Sequence, residues 1–230
     1  MGPPDAAPLA GIDSAGFMLK NGRRVLPLGL YCQNDRLKQC ANLGLTLAII
    51  GAGDDFPERM REAEKLGLDL IPGSGVDAKN PAPAVRKLVQ RWGSLPLTAW
   101  AIMDEPEDKP AYFESLRPLT DALRSADARP LYQSIHNSSR VGPFLRWADI
   151  NALDPYPISA VPRPLLSVAN QFDEARALLS PGKALWYINQ AFVEAPFWKR
   201  PPTPLELRAM TWLAFNHGAR GLVFYSQDEV

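Results

Sequence analysis

Eight short apolar runs, each stopping at a polar or turn residue, alternate along the chain with stretches of helical periodicity. The runs cover residues 25–31, 45–51, 68–73, 97–103, 131–135, 149–153, 184–189 and 221–225. Those at 45–51, 68–73 and 97–103 are dominated by aliphatic residues, as strands covered on both faces are. Helical stretches lie between them at 34–43, 57–66, 84–92, 111–125, 141–147, 167–179 and 203–217. The last carries its own signals: Thr203 at the N-cap, Pro204 at the first helical position, Glu206 at the third, and Gly218 just past the end.

From Val25 to Gly221 the chain makes seven repeats of about 28 residues, the length of a strand, loop, helix and return. This alternation predicts an α/β fold, a (β/α)₈ TIM barrel. An open doubly wound sheet is the competing architecture, and eight consecutive units without a clear reversal of order fit a closed barrel better. Asn21-Gly22, between two apolar stretches within residues 16–23, predicts an N-terminal β-hairpin that plugs the barrel floor. Residues 1–15, with Pro-Pro and Ala-Pro pairs, read as a linker or flexible start, and 16–230 as the barrel domain. A closing helix is expected after residue 225, so the barrel is expected to lack its last helix and to belong to a longer protein with further domains.

Composition narrows the function. Lys plus Arg and Asp plus Glu both number 25, so no one-sided field favours nucleic acid or an anionic membrane. No apolar run approaches the ~20 residues of a membrane span. The start has neither a basic n-region nor an apolar h-region, so no secretory signal is read and the compartment stays open. Cys32 and Cys40, with His136 and His217, match no zinc spacing, and both cysteines read as packing residues. Gly51-Ala52-Gly53-Asp54 lacks the third glycine of a dinucleotide loop. No cofactor or metal is therefore expected.

In a barrel, the side chains at strand carboxyl ends converge on one mouth. Here those positions hold Tyr31, Asp54, Ser74, Asp104, Glu105, His136, Asn137, Asp154, Tyr156, Gln190, Tyr225 and Gln227. The sharpest signal is Trp100-Ala101-Ile102-Met103-Asp104-Glu105-Pro106, where an apolar strand stops at two adjacent carboxylates. Carboxylates sharing a partly dry cleft push each other's pKa apart, which is what acid/base hydrolysis of a glycoside requires. The alternative is that the two acids cap the following helix. Asp154, in Asp154-Pro155-Tyr156-Pro157, reads equally as a site residue and as an Asx-turn. His136 is placed to tune a neighbouring carboxyl or bind a hydroxyl, or to bond backbone in its loop; His217 reads as a helix cap. Tyr31, Tyr156, Tyr225 and Trp198 are placed to stack on the C–H faces of a sugar. Trp92, Trp100, Trp147, Trp186 and Trp212 read as core.

Taken together, Asp104-Glu105-Pro106, Asp154-Pro155-Tyr156-Pro157, the Trp186 to Phe192 stretch, the His217-Gly218-Ala219-Arg220-Gly221 turn and the opening Gly16 to Tyr31 resemble the β-galactosidase-like barrels of the clan A glycoside hydrolases. The resemblance implies that Glu105 is the acid/base, with Asp104 where the family has asparagine. It also implies a nucleophilic glutamate at the end of the seventh strand, where this chain has Gln190, an amide unable to form a glycosyl ester; Glu194 lies four residues on. Three outcomes follow: inversion, with Asp154, Asp54 or Asp228 deprotonating water and Gln190 binding a sugar hydroxyl; recruitment of Glu194 or Glu229 as nucleophile; or binding of sugar without cleavage. The expected function is carbohydrate-active O-glycoside hydrolysis, with Glu105, Asp104 and Asp154 catalytic and Tyr31, Asp54, His136, Asn137, Tyr156, Gln190, Trp198 and Tyr225 contacting a carbohydrate substrate. A non-catalytic carbohydrate-binding or scaffold module is the rival. A metal-dependent hydrolase built on Asp54, Asp104, Glu105, His136 and Asp154 ranks third, for want of any H-x-H or H-E-x-x-H motif.

Overall fold

The structure, a computed structural model, describes residues 10–31, 36–51, 53–73, 81–95, 97–108, 110–136, 141–194 and 196–225, the side chains of 110–112 excepted. Three short antiparallel strands come first: β1 (Ala10–Ile12), β2 (Met18–Lys20) and β3 (Arg23–Val25). The Asn21-Gly22 turn joins β2 to β3, with both residues at positive φ (52° and 74°), the conformation that favours this pair in a tight hairpin. The predicted hairpin thus supplies two strands of a three-stranded sheet, to which β1 adds the third from the segment read as linker.

Eight parallel strands follow: β4 (Leu28–Tyr31), β5 (Leu47–Ile50), β6 (Asp69–Pro72), β7 (Trp100–Asp104), β8 (Leu131–Ile135), β9 (Ile150–Leu153), β10 (Ala184–Gln190) and β11 (Leu222–Tyr225). They pair in the order β6-β5-β4-β11-β10-β9-β8-β7. The two ends of that order meet through the parallel bridge Gly73–Ala101 and a hydrogen bond from Thr98 N–H to Leu70 O (3.0 Å), so the sheet curls into a nearly closed barrel. Its outer ring is α1 (Leu37–Asn42), α2 (Phe56–Leu66), α3 (Pro81–Trp92), α4 (Pro110–Ala126), α5 (Leu166–Leu178) and α6 (Pro204–Asn216). This is the TIM-type α/β fold expected.

The strand period of two divides the apolar residues into two compartments. In β5, Leu47 and Ile49 point into the barrel while Ala48 and Ile50 face the helices. The interior holds Ile71, Ala99, Tyr132, Ile150, Ala152, Ala184, Trp186, Ile188 and Val223, and the three-stranded sheet closes its floor with Ala10 and Met18. Gly16 seats that sheet: its φ is +80°, and a Cβ there would stand 2.8 Å from Lys183 O, just before β10. Lys20 pairs with Asp69 at the start of β6 (2.6 Å).

Two expectations change. Residues 141–147 form successive turns, not a helix, tied by Phe144 N–H and Leu145 N–H to Val141 O; the Gly142-Pro143 pair favours a turn over a helix. Trp212 is 59% exposed on α6, whose buried residues are Met210 and Ala214, whereas Trp92, Trp100 and Trp186 are buried. The α6 capping box is present: Thr203 Oγ1 accepts from Glu206 N–H (3.3 Å) and Glu206 Oε2 from Thr203 N–H (2.7 Å). Cys40 is buried in α1; Cys32 lies outside the described residues.

Candidate active site

The carboxyl ends of the strands bring together a group of acids floored by tyrosines. Its position depends on a bulge in β7. The register runs Trp100 to Leu131 and Ala101 to Tyr132, then skips Ile102, so that Met103 meets Gln133 and Asp104 meets Ser134. Ile102 and Met103 both pack on the helix side. The extra residue shifts the inside/outside phase by one and turns Asp104 toward the interior row that contains Ser134. Ser134 Oγ donates a short hydrogen bond to Asp104 Oδ1, and the Tyr31 and Tyr132 hydroxyls meet at 2.9 Å below them.

Glu105 follows with φ +46°, a left-handed conformation that costs a residue with a Cβ about 1–2 kcal/mol. Its N–H donates to Ser134 O (3.2 Å), and a 3-10 turn, Pro106–Asp108, leads the chain away. Asp154, at the end of β9, is 4% exposed and lies within the field of Glu105. Burial, then the charges of Glu105, Asp104 and Glu107, lift Asp154 well above the usual carboxylate range. Burial also raises Glu105, opposed first by His136. The pair therefore retains a proton that two solvated carboxyls would release. Asp154 Oδ1 has no hydrogen-bond partner among the described residues.

His136 stands at the edge of this group. Its N–H donates to Glu107 Oε1 (2.5 Å), its Nε2 lies 3.2 Å from Asp108 Oδ2, and its carbonyl accepts from Gln171 Nε2 (3.1 Å). An aromatic wall rises from the ends of β9, β10 and β11. Tyr156 stacks on Tyr225 (6.3 Å, 25°), Phe192 meets both edge-on (5.0 and 5.2 Å), and Tyr31 meets Tyr225 at 5.7 Å. Burial and the Asp154 charge raise the Tyr156 hydroxyl well above its usual value, keeping it a donor.

The predicted residues divide accordingly. Tyr31, Asp104, Glu105, His136, Asp154, Tyr156 and Tyr225 come together. Asp54 does not join them: its side chain is 94% exposed and held by Arg91 (2.8 Å). Gln190 reaches the mouth fully buried, but its amide is engaged at both ends, accepting from Ile158 N–H (3.1 Å) and donating to Ile158 O (2.8 Å). Trp198 packs edge-on against Phe192 (5.3 Å) within the wall, while Phe197 is 65% exposed at the rim. Glu194 is exposed in a turn whose backbone pairs with Trp198 in both directions at 2.7 Å. Ser74, Asn137, Gln227, Asp228 and Glu229 lie outside the described residues.

Sequence reasoning passed over three contributors. Glu107 is 3% exposed, and its signal was the acidic run Asp104-Glu105-Pro106-Glu107-Asp108. Tyr132 and Ser134 sit in one apolar-looking strand, where only their shared alternation could have marked them. No three His, Cys, Asp or Glu side chains among the described residues stand close enough together to hold a metal ion.

No sequence-family profile matches the chain, and no curated protein is similar to it by sequence. Solved structures are similar in fold. A GH2 β-galacturonidase from Eisenbergiella tayi bound to galacturonate superposes with a TM-score of 0.73 at 13% identity, over 94% of this chain and 46% of its own. A glycoside hydrolase family 5 protein from Bacteroides vulgatus gives 0.71 at 11%, over 96% and 64%. A β-glucuronidase from Ruminococcus gnavus in complex with uronic deoxynojirimycin gives 0.69 at 15%, over 94% and 45%. The chain thus spans less than two thirds of the length of each of these proteins and shares with them a TIM-type barrel fold.

Proposed function

We propose that this barrel is a carbohydrate-active hydrolase that cleaves O-glycosidic bonds, with Glu105 as the general acid. The observation that carries this reading is the gathering of Asp104, Glu105 and Asp154 at the strand ends beside an aromatic wall, where burial and mutual charge raise Glu105 and Asp154 together. The two therefore act as one unit: half-exposed Glu105 delivers the proton to the leaving oxygen, and Asp154 keeps it supplied. Asp104, held by Ser134, is the carboxylate left to take a proton from the attacking water. Tyr156 and Tyr225 supply ring faces for the sugar.

One observation favours a second reading, a barrel that binds carbohydrate without cleaving it. Gln190 occupies the strand end where the resemblance implies a nucleophile, and its amide is committed to Ile158. Counting reducing ends released from a panel of aryl glycosides and polysaccharides, by wild type and Glu105→Gln, separates the two. Cleavage abolished in the variant supports the hydrolase. Saturable glycan binding by both proteins with no cleavage by either moves the assignment to the binding module.

A further inference from the structure

Gln190 extends the interior row of β10 that begins with Ala184, Trp186 and Ile188, and its side chain is fully buried at the mouth. Among the described residues its amide bonds to Ile158, using both halves: Oε1 accepts the Ile158 N–H at 3.1 Å and Nε2 donates to the Ile158 carbonyl at 2.8 Å. This two-point contact mimics a rung of sheet pairing and fixes orientation as well as distance. Ile158 lies four residues beyond Asp154 and two beyond Tyr156, in a segment broken by Pro155 and Pro157. Neither proline has an N–H with which to hold the segment to the barrel.

We infer that Gln190 is the positioning residue of the site: by clamping Ile158 it holds Asp154 against Glu105 and Tyr156 against Tyr225, and so takes no part in binding sugar itself. The inference rests on the proposed role of Glu105 and Asp154, but the clamp can be measured without any substrate. Its chemistry makes a specific demand. The group at this position must offer one donor and one acceptor side by side, which an amide does at every pH and a carboxyl only while protonated. The titratable groups around it are Asp154 and Tyr156 beyond β9, Tyr225, its register partner on β11, and Glu105 beyond β7. Burial among these acids favours the neutral form of a carboxyl placed there.

The test is amide hydrogen exchange at Ile158, together with titration of the Glu105 and Asp154 carboxyls by 13C NMR, in wild type, Gln190→Glu and Gln190→Leu. In Gln190→Glu, protection of Ile158 should match wild type at low pH. It should fall about tenfold as the new carboxyl ionises, because a carboxylate has no donor for the Ile158 carbonyl and repels it, so the loop opens more often, by the factor carried by one hydrogen bond of about 1.4 kcal/mol. In Gln190→Leu, the elevated carboxyl step should move toward the ordinary carboxylate range as the loop loosens and water reaches Asp154, while α6 and β5 keep their protection. An unchanged titration in a folded Gln190→Leu protein would make Gln190 a filler of space and overturn the inference. So would a Gln190→Glu protein whose Ile158 protection does not fall across the pH range in which 13C NMR shows the new carboxyl ionising. If Gln190→Leu fails to fold, the pH dependence of Gln190→Glu decides alone.

Discussion

Replacing Gly221 with alanine should destabilise the protein through one contact. A Cβ at this position would stand 2.7–2.8 Å from Cγ, Cδ2 and Cε2 of the Trp186 indole, where carbon atoms rest at ~3.5–4.0 Å. One side must therefore retreat by roughly 1 Å. The backbone is poorly placed to yield, because Gly221 O accepts from Tyr187 N–H (2.9 Å) and Leu222 N–H donates to Pro27 O (2.9 Å). Trp186 is fully buried and backed by Tyr132 at 5.9 Å. Overpacking of this kind costs about 1–3 kcal/mol, and the stiffer unfolded chain returns about 0.4–1 kcal/mol. The net loss of roughly 1–2 kcal/mol corresponds to a fall in Tm of about 2–8 °C for a chain of this length. Urea unfolding and calorimetry would measure it. Trp186→Phe, introduced together with Gly221→Ala, should restore part of the loss, since residues in contact couple. A variant as stable as wild type would refute the account of how the barrel interior is filled.

Asp154→Asn should change stability in a pH-dependent way. The folded protein retains on the Glu105–Asp154 pair a proton that the unfolded chain releases near pH 4, so wild type loses stability as pH rises from there through the raised folded pKa. The variant cannot ionise at this position, so its stability relative to wild type should climb over the same window and be flat below about pH 4. Parallel urea curves at pH 4, 6 and 8 with a constant difference would contradict the shared proton. Tyr31→Phe should cost about 1–3 kcal/mol by leaving the buried Tyr132 hydroxyl without its 2.9 Å partner; a neutral result in urea unfolding would mean that Tyr132 finds another.

What could be read in the sequence was whatever the backbone repeats. The apolar runs at 45–51 and 184–189 mark β5 and β10 because a strand covered on both faces has no polar side to confuse it. Thr203, Pro204 and Glu206 mark α6 because a cap is local. The site was legible only where adjacent residues share a strand end, as Asp104 and Glu105 do. Long-range partners carried no mark: Arg91 draws Asp54 outward from 37 positions away, and Ile158 engages Gln190 from 32. Trp212 misled because size argues for burial, whereas helical phase decides which residues of α6 face the strands.

The bulge in β7 leaves no trace in composition, since Ile102 and Met103 are both apolar and either could be taken for an ordinary strand residue. Yet the chain is read in one phase before it and in the other after it. Straightening the strand without losing either residue would hand Asp104 to the helix side and Met103 to the mouth, whereas removing one of the two would leave a regular strand with Asp104 still opposite Ser134. Whether a related barrel keeps this site is thus a question of pairing register between Trp100 and Pro106: a one-residue gap there would mark loss of the bulge with the acids still at the mouth, and an ungapped strand of regular pleat would turn Asp104 away from it.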